Sequence, residues 1–130
     1  MEEFLRFSSP IQIFGRNATH ELSLHERQMQ AGEIIALSFG SANRDPATFE
    51  APDELRLDRS PNRHLTFGAG PHLCAGAGVA RMELAVTLEI LIEAGILLAL
   101  NPAAAPRWKT RGDRRGLASL PLLIKKQKTD

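Results

Sequence analysis

Four glycines and a proline fall within the twelve residues from Phe67 to Gly78, and sixteen residues with neither come after them. That junction constrains the fold more than anything else in the chain. Gly68, Gly70 and Pro71 exclude a regular strand or helix before it. Beyond the junction the sequence reads as one long helix, from about Gly76 to Glu93. Val79, Met82, Val86 and Ile90 recur at near-helical spacing. Leu84, Leu88, Leu91 and Ile92 add apolar residues to other faces, so the sequence predicts a helix buried over most of its surface. Gly95 fits the position just past its C-terminus.

The remainder is less regular. Residues 2–7 read as the last turns of a helix, which Ser9-Pro10 stops because the residue before proline is pushed out of helical geometry. Ile11, Ile13 and Phe14 suggest extended chain. Further strands are expected at residues 21–24 and 33–39, with Gln30-Ala31-Gly32 as turn chemistry between them. Residues 41–62 are rich in Asn, Asp, Arg and Ser and hold Pro46, Pro52 and Pro61. They read as a long ordered meander, a kind of segment that tends to be functional. Beyond Pro102, Pro106 and the single Trp108, residues 117–124 suggest a terminal strand or hairpin, and residues 125–130 a solvated tail.

Composition narrows the function classes. The chain has 130 residues, 43% hydrophobic and 24% charged, as in a soluble globular domain or a piece of one. Sixteen basic residues against fifteen acidic ones leave a net charge of +1, which supports neither a nucleic-acid nor a membrane-surface role. One cysteine excludes an internal disulfide. Residues 1–6 are acidic and contain no apolar signal core. The most apolar run, residues 84–100, is interrupted by Glu89, Glu93 and Gly95, which argues against a membrane span.

Cys74 is the residue with chemistry. It stands just before the long helix, where backbone N–H groups favour a thiolate. Gly70 and Gly76 flank it and let backbone approach something flat and bulky. His72, two residues earlier, can donate a hydrogen bond to an anion. These are the requirements of cysteine ligation to haem iron. Two other readings fail. Gly76-Ala77-Gly78 opens like a dinucleotide fingerprint, but Arg81 stands where glycine or alanine is needed. His64, His72 and Cys74 cluster in sequence without the four ligands of a structural zinc site, and His20 and His25 lie far away.

Phe67, Gly70, His72, Cys74 and Gly76 meet, in register, the pattern Phe-x-x-Gly-x-His/Arg-x-Cys-x-Gly. A chance match is on the order of 10⁻⁷ per starting position from average residue usage. This is the haem-binding signature of the cytochrome P450 family, which the chain resembles over nearly its whole length. Glu3-Phe4-Leu5-Arg6 resembles the Glu-x-x-Arg motif ending that family's K helix. Asn43-Arg44-Asp45-Pro46, with Phe49 and Pro52-Asp53, resembles the meander of soluble bacterial members, and residues 62–68 continue it. Ala80-Arg81-Met82-Glu83 matches the helix after the cysteine, and residues 115–121 resemble the C-terminal hairpin.

The resemblance implies an α+β fragment of the mainly-α P450 fold. Its parts are short β-strands, the meander, the cysteine loop, a long buried helix and a C-terminal hairpin. Residues 1–130 would be the C-terminal, proximal haem-binding portion of the domain, with the distal part absent. The implied cofactor is haem b, iron protoporphyrin IX. Cys74 would be the thiolate ligand of its iron, metal-binding and catalytic at once, favouring cleavage of the bond in bound dioxygen. Phe67 would pack on the porphyrin, His72 and Arg16 would bind its propionates, and Gly70 and Gly76 would shape the loop. Ile11, Ile13 and Phe14 would line the substrate side. Glu3, Arg6 and Arg59 would form a buried structural charge network. Asp113 and Arg114 fall at the hairpin tip, where two charges facing substrate are unusual.

By the same resemblance the activity is that of a cytoplasmic haem-thiolate monooxygenase. It would insert one oxygen atom of O₂ into a small organic substrate, with electrons from a ferredoxin- or flavodoxin-type partner. Two alternatives remain: an inactive truncated remnant or non-catalytic haem-binding fragment, and a peroxygenase or sensor. An isolated chain of this kind is expected to expose a sticky apolar patch.

Overall fold

A computed structural model describes residues 1–109 and 112–126. Helix α1 (Glu2–Ser8) ends where Ser9 turns into the left-handed region at φ 39°, its N–H returning to the Leu5 carbonyl at 3.0 Å. Pro10 follows, so the chain leaves extended, as the sequence requires. Strand β1 (Ile13–Asn17) pairs antiparallel with β4 (Ile34–Ser38), Ile13 opposite Ser38 and Asn17 opposite Ile34. Between them β2 (Leu22–Leu24) and β3 (Arg27–Met29) form a small hairpin. The sequence reading misses β3. Its turn is made by His25 at φ 52°, with neither glycine nor asparagine to mark it. The expected strand 33–39 stops one residue short, because Phe39 already begins the single turn α2 (Phe39–Ala42).

The meander from Asn43 onward contains no strand and no helix until a 3₁₀ turn at Gly70–His72. It is nonetheless anchored: Phe49 is buried, and the Arg6 and Arg59 guanidinium carbons lie 5.2 and 5.9 Å from its ring centroid. Asn43 is fully buried. Its amide nitrogen donates to Ser9 Oγ at 2.8 Å and Thr66 Oγ1 at 3.1 Å, and its oxygen accepts the Leu65 N–H at 2.7 Å. The side chain thus clasps the end of α1 to the segment that enters the cysteine loop.

Helix α3 (Ala77–Glu93) lies where periodicity puts it, and Gly95 follows with its N–H on the Ile92 carbonyl at 3.0 Å. The expectation that it is buried is wrong for this chain. Ala77 is its one buried residue, while Val79, Met82 and Ile90 are 54%, 59% and 57% exposed. The physical reason is that apolar residues occupy several faces of the helix, and the neighbouring element, β5 (Ile96–Leu100), cannot cover them all.

The C-terminal hairpin is longer than expected. Strand β5, hidden inside the apolar run, pairs with β8 (Leu122–Lys126). Nested inside that ladder, β6 (Arg107–Trp108) pairs with β7 (Leu117–Ser119). The two ladders, each a two-stranded sheet, follow one another along a ribbon of paired chain. Its tip docks on the strand after α1: the Gln12 N–H donates to the Asp113 carbonyl at 2.9 Å, and the Arg115 N–H to the Pro10 carbonyl at 2.8 Å. Of the expected solvated tail, residues 127–130 lie outside the described residues. Among the described residues no helix is long and apolar enough to cross a membrane.

Replacing Asn43 by alanine leaves the part-buried Leu65 N–H without its acceptor, while the Ser9 and Thr66 hydroxyls keep their bonds to the Arg6 and Leu5 carbonyls. The expected cost is about 1–3 kcal/mol for the group left without a partner. Urea unfolding monitored by circular dichroism checks this: the midpoint falls with little change in slope.

Candidate functional site

The cysteine loop is built by backbone hydrogen bonds. Gly68 N–H returns to the Leu65 carbonyl at 2.8 Å, Leu73 N–H to Gly70 at 3.0 Å, and Cys74 N–H to Phe67 at 2.8 Å. The Cys74 carbonyl then accepts the Ala77 N–H at 3.1 Å as α3 starts. Gly68 and Gly70 stand at φ +74° and +64°, where a side chain is strained. A Cβ on Gly68 would also come within 3.3 Å of the His72 carbonyl oxygen. Gly76 has ordinary backbone angles and leaves its Cβ position 3.8 Å from Cys74 Sγ.

This loop forms one wall of a cavity of about 1140 Å³, at the upper end of small-molecule and cofactor sites. Phe67, His72 and the exposed thiol of Cys74 line it from the loop. Ile11, Phe14 and Arg16 line it from the segment after α1, Leu37 and Phe39 from β4 and α2, and Leu84 and Thr87 from α3. Ile13 is not among the lining residues. Strand alternation turns it away from the face that carries Phe14 and Arg16. Gly70 and Gly76 contribute loop shape and no wall.

Arg16 stacks on Phe14, 5.7 Å from guanidinium carbon to ring centroid, and donates to the Gly15 carbonyl at 2.9 Å. Among the described residues it has no carboxylate partner. Among the described residues no group of three His, Cys, Asp or Glu side chains could hold a bare metal ion. A single thiol facing an apolar cavity, with an arginine and a histidine at its edge, instead suits a flat, largely apolar dianion that brings its own metal. The residues present therefore fit a haem.

Behind the cavity lies a charge network. Glu3 accepts from Arg6 Nε and Nη2 at 2.7 Å each, from Arg59 Nε at 3.1 Å, from the Arg56 N–H at 3.0 Å and from Asn62 Nδ2 at 3.0 Å. Arg59 continues to the Glu50 and Ala51 carbonyls at 2.7 and 3.2 Å. Arg6 is wholly buried and Glu3 is 2% exposed. Hydrogen bonding from Arg6, aided by Arg56 N–H and Arg59, outweighs the cost of burial and holds the Glu3 carboxyl down at about 2. Sequence reasoning overlooked Asn43 and Asn62, which it took only as parts of the meander. It overlooked Glu2 too, whose one signal was its place beside Glu3.

Comparison with known proteins agrees with this fold. The family model described as cytochrome P450 matches residues 1–94. The chain is 41% identical over 125 residues to a beta-dihydromenaquinone-9 omega-hydroxylase of Mycobacterium tuberculosis, covering 95% of this chain and 25% of that protein. It is 39% identical over 129 residues to the polyketide biosynthesis cytochrome P450 PksS of Bacillus subtilis, covering 97% and 32%. It superposes on CYP109E1 from Bacillus megaterium, solved in complex with testosterone, with a TM-score of 0.88 and 35% identity over 98% of this chain and 35% of that one. The chain belongs to the cytochrome P450 family, and it spans a quarter to about a third of the length of these relatives.

Because Glu3 is held near 2 against an ordinary 4.5, the stability it contributes is present above pH 4.5 and is lost as pH falls toward 2. Urea midpoints measured between pH 7 and pH 2.5 should decline steeply below 4.5. Glu3→Gln should lower the stability at pH 7 by roughly 3–5 kcal/mol for breaking a buried pair, and remove the Glu3 share of the acid limb, leaving that of Glu2.

Proposed function

We propose that this chain supplies the cysteine-ligand side of a haem-thiolate monooxygenase acting on a small organic substrate. The observation that carries the reading is the cavity itself, with Cys74 on its wall and Arg16 and His72 beside it. When bound, haem b supplies reductive activation of dioxygen and insertion of one oxygen atom into the substrate, with electrons from a ferredoxin- or flavodoxin-type donor.

The chain's own residues have distinct tasks. Cys74 presents a thiolate to the iron, and its backbone is fixed by the Phe67 carbonyl. Phe67 packs against the macrocycle. Arg16 binds one propionate, charge against charge, and His72 offers a ring N–H to the other. Ile11 and Phe14 exclude water from the substrate side. The docked hairpin tip braces Ile11 through its bridge to Arg114. That contact is made by backbone, and the tip charges Asp113 and Arg114 stay exposed and pair with each other at 3.4 Å. Glu3, Arg6 and Arg59 hold the meander beneath the loop. The setting is cytoplasmic.

A second reading is favoured by two observations. Cys74 is exposed, and the apolar faces of α3 are uncovered. By itself the chain would then bind haem without turnover.

Haem reconstitution, reduction and addition of carbon monoxide test both readings. A strongly red-shifted Soret band, lost in Cys74→Ser, is the expected result. Arg16→Ala and His72→Ala should each weaken haem affinity by about tenfold, as loss of one charge-assisted bond does. A free-haem spectrum unchanged by Cys74→Ser overturns the proposal. A thiolate spectrum with no substrate oxidation selects the second reading.

A further inference from the structure

The two glutamates at the start of α1 point in different directions. Glu3 enters the meander. Glu2 reaches α3, where its carboxylate accepts from Arg81 Nη2 at 2.8 Å and from Arg81 Nε at 2.9 and 3.1 Å. The same carboxylate meets His64 Nε2 at 3.0 Å. His64 Nδ1 accepts the Thr66 N–H at 3.3 Å, so the histidine carries its proton on Nε2 and donates it to Glu2. The His64 side chain is 3% exposed, while the Glu2 carboxylate it meets and the Arg81 side chain opposite are 38% and 39% exposed.

Both partners of Glu2 converge on one ring. The Arg81 guanidinium carbon lies 4.7 Å from the Phe67 ring centroid, and the His64 ring centroid lies 6.2 Å from it, tilted by 53°. The Phe67 carbonyl accepts the Cys74 N–H. A chain of contacts therefore runs from Glu2 through two side chains to the ring, and from that residue's backbone to the cysteine.

We propose that Glu2 is a positioning residue of the cysteine loop: by holding Arg81 and His64 together against Phe67, it fixes the backbone that presents Cys74. Glu2 is suited to the task because a bidentate arginine pair sets direction as well as distance. Arg81 hydrogen bonding, with a smaller contribution from His64, keeps the carboxyl at about 2, so the clamp carries its charge throughout the neutral range. Burial opposes this and is outweighed. The tandem glutamates thus divide the work, one holding the meander and its neighbour the ligand loop.

This inference rests on the proposed function only in naming Cys74 as the ligand. Its test uses the full chain without haem, so either can fail alone. Native-state hydrogen exchange is measured at the Cys74 and Gly68 amides and, as an internal control, along the β1–β4 ladder. Glu2→Ala and Arg81→Ala should each speed exchange at Cys74 by about tenfold, the loss of one charge-assisted bond, and leave the ladder unchanged. The double variant should be no faster than either single one, because both remove the same clamp. Arg81→Lys keeps the charge but not the planar fork, and it should also speed Cys74 relative to the ladder. Should the alanine variants not fold, that ratio alone decides. Unchanged Cys74 exchange, equal acceleration along the ladder, or additive effects in the double variant would overturn the proposal.

Discussion

A guanidinium sealed from water organises the first half of this chain. Arginine has five N–H donors, and each one of Arg6 finds an acceptor. Two meet the Glu3 carboxylate, and the others meet the carbonyls of Asn43, Pro52 and Glu54. These carbonyls belong to the meander, which has no ladder of its own to satisfy them. Buried irregular backbone is tolerable only when such groups are paired. Arg6 and Arg59 between them do for the meander what strand pairing does for a sheet. The geometry that places residues 64–67 beneath the cavity depends on that substitution.

The two halves of the chain are held by different physics. Up to the cysteine loop, the most buried residues include Glu3, Arg6, Ser9, Asn43 and Thr66, all polar and all hydrogen-bonded. Such a core specifies one arrangement, because any shift leaves buried groups unpaired. Beyond the loop the structure is one helix and a two-stranded ribbon whose apolar residues are largely uncovered, Ile92 at 77% and Ile124 at 73% exposure. Large apolar residues left open to this degree are the kind of surface that marks a place of association.

The cavity lies between these halves and takes walls from both. The loop contributes the thiol, the strand after α1 contributes the arginine and an aromatic, and α3 closes one side. The ribbon tip returns to brace that strand from outside. Elements far apart in sequence thus meet around one volume.

Local order was legible in the residues. The glycines around Pro71, the apolar period after Gly78 and the Ser9-Pro10 stop each act within a few residues, so α3, the loop and the end of α1 could be read directly. The pattern of the cysteine loop from Phe67 to Gly76 was equally local. Tertiary structure alone decided what those elements meet. Strand β3 escaped notice because His25 makes its turn without a turn residue, and β5 because a strand inside an apolar run is indistinguishable from helix. Ile13 was separated from Phe14 by strand alternation. The burial of α3 was misjudged because hydrophobicity states what a face requires, and only packing shows whether a neighbour covers it. Glu2 and Glu3 are chemically the same and adjacent in sequence. Their different partners follow from the turn of a helix, which points neighbouring side chains about 100° apart.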